Sequence, residues 1–214
     1  MKTEIYGAYA TPIYHVDKVE NFNTIQRDIT KQYDKAEWYT NEDWGFTHYL
    51  SKPGFSGNLV PKIKSLENTI HYHLAQYINQ IGFPESPYYY PHLKYRIVNS
   101  WFAKFEKHCY AHVHNHGHAD VSGAYYFKVP ENAADFFINA TVPQFDASLL
   151  FHQLGFRNYF PLEEGSLMLM PGFVNHGVQT TMDDNVRCSV AFNIIFERQD
   201  VNDPELFASA DDKP

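Results

Sequence analysis

The sequence predicts an α+β fold, with helices first and a β-structure after them. Three observations point there. Apolar residues recur at helical spacings within the first 81 residues. From Tyr95 onward they alternate with a period of two. The aromatic share is high, 17% with 16 Tyr and 17 Phe, and aromatics suit the pleated, half-buried surface of a sheet.

Val19, Phe22, Ile25, Ile29 and Tyr33 mark a first amphipathic helix. Ile63, Leu66, Ile70, Leu74, Tyr77, Ile78 and Ile81 mark a second, with Pro61 near its start and Gly82-Phe83-Pro84 as its stop. Between them, Trp38 to Gly57 mixes aromatics, Gly and polar residues without a period and reads as an irregular segment, a candidate lid. Strand patterns cover 95–105, where Tyr95, Ile97, Asn99, Trp101, Ala103 and Phe105 alternate with their neighbours. Further strands are expected over Val121–Val129, Ala134–Ile138, Ser166–Met170 and Arg187–Glu197, with a turn at Glu163-Glu164-Gly165. The 214 residues fit one domain. Its expected parts are a helical and irregular support over 1–90, a β core over 91–200 and a frayed tail over 201–214.

A net charge of −8 argues against a nucleic-acid partner, which calls for basic surface. The two cysteines, Cys109 and Cys188, do not indicate a disulfide and fit a reducing compartment. The first residues lack the apolar stretch of a signal peptide, and no apolar run approaches the roughly 20 residues of a membrane span. The expectation is a cytoplasmic protein without a membrane partner.

Five of the 12 histidines lie between positions 108 and 118: His108, His112, His114, His116 and His118. In a strand, residues i and i+2 face the same side, so a His-x-His pair can aim two imidazoles at one point. Imidazole suits iron, zinc, copper and nickel. An exposed polar loop, or a tract binding zinc adventitiously, would look the same from composition. His176 supplies a second element. It follows an apolar strand and turn, Gly165 to Asn175, and could bring a ligand from a separate strand. The third element is Arg187-Cys188-Ser189, eleven residues past His176. Along this strand Cys188, Val190, Phe192, Ile194 and Phe196 share one face, and Arg187, Ser189, Ala191 and Asn193 share the other. An inward guanidinium fork with a hydroxyl two residues later makes a carboxylate receptor. Asn99, Trp101, Tyr125 and Asn193 are candidates to line the same cavity.

From Asn99 to about Ile195 the chain resembles a family of 2-oxoglutarate–Fe(II) oxygenases found in marine bacteria and their phages. The resemblance rests on Ser100-Trp101-Phe102, His114-Asn115-His116, Ser122-Gly123-Ala124-Tyr125-Tyr126, Val129-Pro130, Gly165-Ser166-Leu167, Met170-Pro171, His176 and Arg187-Cys188-Ser189-Val190-Ala191-Phe192-Asn193. It implies a double-stranded β-helix, a jelly-roll or cupin-like barrel buttressed by the N-terminal helices. It also implies iron(II) and 2-oxoglutarate as cofactors and release of succinate and carbon dioxide; it gives no substrate, and the expectation is a hydroxylase of an unidentified small-molecule or peptidyl substrate. In that register His114, His116 and His176 hold the metal, and Arg187, Ser189 and Asn193 face the co-substrate. No catalytic residue is implied beyond these.

The chain departs from the wider superfamily at one point. The usual upstream ligand pair is His-x-Asp or His-x-Glu, and here histidine stands in the carboxylate's place. A His-x-Asp does occur at His118-Ala119-Asp120, so Asp120 is the alternative third ligand. Two other functions stay open: a cupin-like metal protein or dioxygenase that does not use 2-oxoglutarate, and a non-catalytic binding module such as a phage accessory protein.

Overall fold

The computed structural model describes residues 11–42, 47–81, 94–139 and 157–197. Two helices and eleven strands are found there. α1 (Phe22–Tyr33) buries Ile25 and Ile29, one turn apart. α2 (Lys64–Ile81) buries Leu66, Ile70, Leu74 and Tyr77, a stripe at spacings of four and three. Pro61 sits in a 3₁₀ turn (Val60–Lys62) just ahead of α2 rather than in its first turn. The stop expected at Gly82-Phe83-Pro84, and the tail past 200, lie outside the described residues.

The strands are β1 (Tyr14–Val16), β2 (Trp38–Thr40), β3 (Tyr49–Ser51), β4 (Tyr95–Phe105), β5 (Ala111–His114), β6 (Val121–Lys128), β7 (Phe136–Asn139), β8 (Arg157–Phe160), β9 (Leu167–Pro171), β10 (His176–Val178) and β11 (Arg187–Phe196). They form a seven-stranded sheet in the order β1-β9-β6-β11-β4-β3-β2 and a four-stranded sheet in the order β5-β10-β7-β8. All pairings between these strands are antiparallel. No helix among the described residues is long and apolar enough to cross a membrane.

Three short strands before Tyr95, β1, β2 and β3, were not expected, and they change the reading of the first half. The segment from Trp38 to Gly57, expected to be irregular, contributes β2 and β3 to one edge of the large sheet, followed by a 3₁₀ turn at Gly54–Ser56. β1 forms the other edge against β9. Each is only three residues long, and pairing to a neighbour fixes it where local periodicity could not.

The large sheet is buried on both faces, and the period of two sorts its side chains. Phe102, Tyr125, Phe127, Leu167, Leu169, Cys188, Val190, Phe192 and Ile194 form one apolar cluster with Ile25 and Ile29 of α1 and Leu66, Ile70 and Leu74 of α2. Trp101, Ala103, Phe105, Tyr126, Met168 and Met170 point the other way and form a second cluster with Ala111, Phe136, Ile138 and Val178 of the small sheet. Full burial of such a side chain contributes about 1.5–3 kcal/mol. Tyr125, expected to face the cavity, belongs to the helix-side cluster, and its neighbour Tyr126 takes the inner face. Both cysteines are free.

Candidate metal centre and carboxylate pocket

The cavity between the sheets collects the chemistry. It is lined by His114, His116 and His176 together with Arg187 and Ser189. His114, at the end of β5, is the direct antiparallel partner of His176, the first residue of β10. Strand pairing alone therefore brings two imidazoles side by side, with ring centroids 4.4 Å apart and planes tilted by 55°. His116 lies past the end of β5, in a turn. Its backbone N–H donates to the Gly172 carbonyl at 2.7 Å, and its own carbonyl accepts from Ala119 at 2.7 Å. Gly172 is required for this approach. A Cβ there would fall 2.7 Å from the His116 carbonyl oxygen and closer still to that of Ala119. One nitrogen from each of the three histidines lies within 4.8 Å of the other two.

Each imidazole has its other nitrogen tied back. His114 Nδ1 donates to the His112 carbonyl at 2.7 Å, and His176 Nδ1 to the Val174 carbonyl at 2.9 Å. His116 Nδ1 donates to the Asn193 side-chain oxygen at 2.7 Å. An oxygen that only accepts requires hydrogen on Nδ1, so the lone pair of each ring is on Nε2. A metal-ligating histidine is usually held in this way. Burial pushes all three below the ordinary histidine range: His114 is lowered, His116 is pushed down to about 4, and His176 lies well below, each helped by the neighbouring imidazoles. The rings are thus neutral near pH 7, the form that donates to a metal.

On the same cavity wall Arg187 is 2% exposed. Its guanidinium lies 5.2 Å from the centroids of both Phe105 and Tyr126 and donates to the Tyr126 hydroxyl. Among the described residues, Nε and Nη1 have no hydrogen-bond partner and no carboxylate comes within salt-bridge distance. Burial lowers its pKa, but a guanidinium stays charged. Ser189 shares its face and lines the cavity. A buried cation with two unanswered donors costs energy unless an anion joins it.

The remaining sequence candidates divide. Trp101 lines the cavity, with its ring parallel to His116 at 6.1 Å. Asn193 is turned to that face but stands behind His116. Asn99 donates to the Phe55 carbonyl, and Phe55 packs edge-on against Trp101. Asp120 is exposed and accepts the Phe196 backbone N–H at 2.7 Å; it is not part of the histidine cluster. His118 and His112 are exposed.

Sequence reasoning missed His48. It lines the same cavity, with its ring stacked on Phe105 at 4.8 Å and 3°, and Nδ1 sits 3.0 Å from the Thr47 hydroxyl. Burial, and then the nearby His114, pushes its pKa down to about 4. A single histidine beside a three-residue strand carries no periodic signal, and only pairing of β3 with β4 brings it inward.

Residues 99–193 match a family model described as "Putative 2OG-Fe(II) oxygenase". No curated protein matches the chain. The fold is similar to that of several solved structures. SnoN, the non-heme alpha ketoglutarate dependent epimerase from nogalamycin biosynthesis, aligns with a TM-score of 0.59 over 86% of this chain and 78% of its own, at 10% identity. HygX from Streptomyces hygroscopicus, with nickel and 2-oxoglutarate bound, gives 0.57 over 86% and 82%, at 10% identity. A prolyl-4-hydroxylase from Pseudomonas putida gives 0.55 over 89% and 94%, at 11% identity. Identities this low speak to the fold: antiparallel sheets in a jelly-roll-like arrangement with few helices.

Proposed function

We infer, from the match of residues 99–193 to a 2OG-Fe(II) oxygenase family model, that this chain binds iron(II) through His114, His116 and His176 and 2-oxoglutarate through Arg187 and Ser189. We read its reaction as hydroxylation of a small-molecule or peptidyl substrate. One observation carries the reading: three converging neutral imidazoles share a cavity with a buried guanidinium, two of whose nitrogens have no partner among the described residues. The donor set fits the metal, because imidazole suits iron(II). The orphaned guanidinium fits a carboxylate, because its fork can answer two oxygens at once. In this reading the two sheets close into a double-stranded β-helix around the cavity, with α1 and α2 as outer support.

Iron(II) and 2-oxoglutarate, when bound, supply dioxygen-dependent decarboxylation to succinate and carbon dioxide and transfer of one oxygen atom to a substrate C–H bond. The chain's own residues do the rest. Arg187 binds the far carboxylate and sets the co-substrate's direction, with Ser189 as an additional donor. The carbonyls behind His114 and His176 and the amide behind His116 hold each Nε2 toward one point. Phe105, Ala111, Phe136, Met170 and Val178 line the cavity with apolar surface that excludes water.

The test is production of labelled succinate from 2-oxoglutarate, with iron(II) and air, followed by mass spectrometry. Slow release without added substrate is expected, and it should be lost in His176→Ala and Arg187→Ala. Metal binding without any succinate would favour a metal protein that does not use 2-oxoglutarate. Neither metal binding nor succinate would favour a non-catalytic module.

A further inference from the structure

The three imidazoles are not held in the same way. His114 and His176 are each braced by a backbone carbonyl two residues earlier, that of His112 and that of Val174. No side-chain substitution removes those acceptors. His116 is braced by the side chain of Asn193, 77 residues away on β11, at 2.7 Å. Asn193 is 1% exposed. Its amide is set by its other end, where Nδ2 lies 3.5 Å from His118 Nε2. β11 is also the strand that carries Arg187 and Ser189.

We propose that Asn193 is the positioning residue that sets the tautomer and donor strength of His116, so that one neutral amide tunes the metal centre from the co-substrate strand. This rests on the metal assignment above. Three neutral imidazoles leave the charge of a divalent ion uncompensated in a buried cavity. Of the three acceptors behind the imidazoles, the one behind His116 is a side chain, so substitution there can alter that. A neutral amide polarises the Nδ1–H bond weakly. A carboxylate there would polarise it strongly, make Nε2 a stronger donor and add negative charge. An apolar side chain would leave Nδ1–H buried without an acceptor and free the ring to flip its tautomer, which removes the lone pair from Nε2.

The experiment uses the full chain and cobalt(II) as the probe, titrated by its visible ligand-field bands, with thermal unfolding as a control on folding. In Asn193→Ala, cobalt affinity should fall about 10–100-fold, the range seen when such outer partners are removed. In Asn193→Asp, affinity should equal or exceed that of the wild type, and the iron(III)/iron(II) potential should shift to more negative values. A purely structural role for Asn193 would move neither the potential nor the order of the two variants. The proposal is overturned if Asn193→Asp has wild-type affinity and potential, or if a folded Asn193→Ala binds cobalt as the wild type does. If Asn193→Ala does not fold, Asn193→Asp decides alone. If the wild type itself binds no cobalt, or His116→Ala binds it unchanged, the metal assignment fails instead, and the two failures are told apart.

Discussion

Arg187→Met should make the cofactor-free protein more stable while it disables co-substrate binding. Arg187 is 2% exposed, and Nε and Nη1 have no partners among the described residues. Each buried donor left unmatched costs about 1–3 kcal/mol, so the two together cost about 2–6 kcal/mol. Methionine fills much of the same channel with an unbranched apolar chain. The change also loses the hydrogen bond to Tyr126 and some packing on Phe105, which offsets part of the gain. A net rise of about 1–3 kcal/mol is expected. For a protein of this size that is roughly 2–12 °C in Tm. Binding should move the opposite way. Two charge-assisted bonds of about 1.5–3 kcal/mol each amount to about 3–6 kcal/mol, or about 10²–10⁴-fold in Kd. Scanning calorimetry of the apo proteins gives the first quantity. Anaerobic titration of 2-oxoglutarate into the iron(II)-loaded proteins, followed by the visible charge-transfer band, gives the second. A lower apo Tm in Arg187→Met would show that the guanidinium is already satisfied. Equal co-substrate affinity in both proteins would remove Arg187 from the carboxylate pocket.

Three further outcomes follow from the same geometry. Asp120→Ala should cost about 0.5–1.5 kcal/mol through loss of its bond to the Phe196 N–H and leave cobalt affinity unchanged, whereas His114→Ala should abolish cobalt binding; a collapse of affinity in Asp120→Ala would restore the His118-Ala119-Asp120 register. Gly172→Ala places a Cβ against the carbonyls of His116 and Ala119, so urea unfolding should show a loss of about 2 kcal/mol or more together with weaker cobalt binding, and a silent variant would mean that the turn yields. In the metal-free protein, His48 and His116 have pKa values near 4 against an ordinary value of about 6.5, so the unfolded chain takes up protons first. Stability is then full above about pH 6.5 and falls as pH drops toward 4, by about 1.4 kcal/mol per pH unit for each group. Urea unfolding at pH 7.5, 6 and 5 measures that slope; His48→Gln should flatten it, and an unchanged slope in His48→Gln would be evidence against a buried neutral His48.

Where the sequence carried a long period, the architecture was legible. β4, β6 and β11 each run eight residues or more, and their alternation marked them as strands. On β11 the same alternation sorted Arg187, Ser189 and Ala191 onto the cavity wall and Cys188, Val190 and Phe192 into the helix-side core. The 2OG-Fe(II) oxygenase resemblance was legible for a related reason, since its motifs fall on those strands and the turns between them. Among the described elements of three or four residues, only β7 was expected as a strand, over Ala134–Ile138. β5 and β10 meet at the centre of the site, yet Ala111–His114 and His176–Val178 are too short to show a period, and the pairing between them is long-range. Tyr125 and Tyr126 could not be told apart by type, because adjacent residues on a strand take opposite faces and only the register says which. His48 and the role of Asn193 behind His116 depend on contacts across 66 and 77 residues, from His48 to His114 and from His116 to Asn193, and no local pattern encodes them.

Register is therefore the quantity on which the site turns. β11 is paired on both sides, with β4 along one edge and β6 along the other. A slip of one residue would turn Arg187, Ser189 and Asn193 toward the helices and put Cys188, Val190 and Phe192 in the cavity. It would bury a guanidinium and an amide in a purely apolar core and leave His116 without its acceptor. The apolar face of β11 thus fixes more than packing. By requiring Val190 and Phe192 to meet Ile25, Leu66 and Ile70, it commits Arg187 and Ser189 to the cavity wall at one end of the opposite face and Asn193 to the His116 ring at the other. The bulge between Asn193 and Ile194 against β4 falls just past the last residue with a part in the site. Strand pairing shifts there, so the far end of the strand can vary without disturbing the alternation that Arg187, Ser189 and Asn193 share.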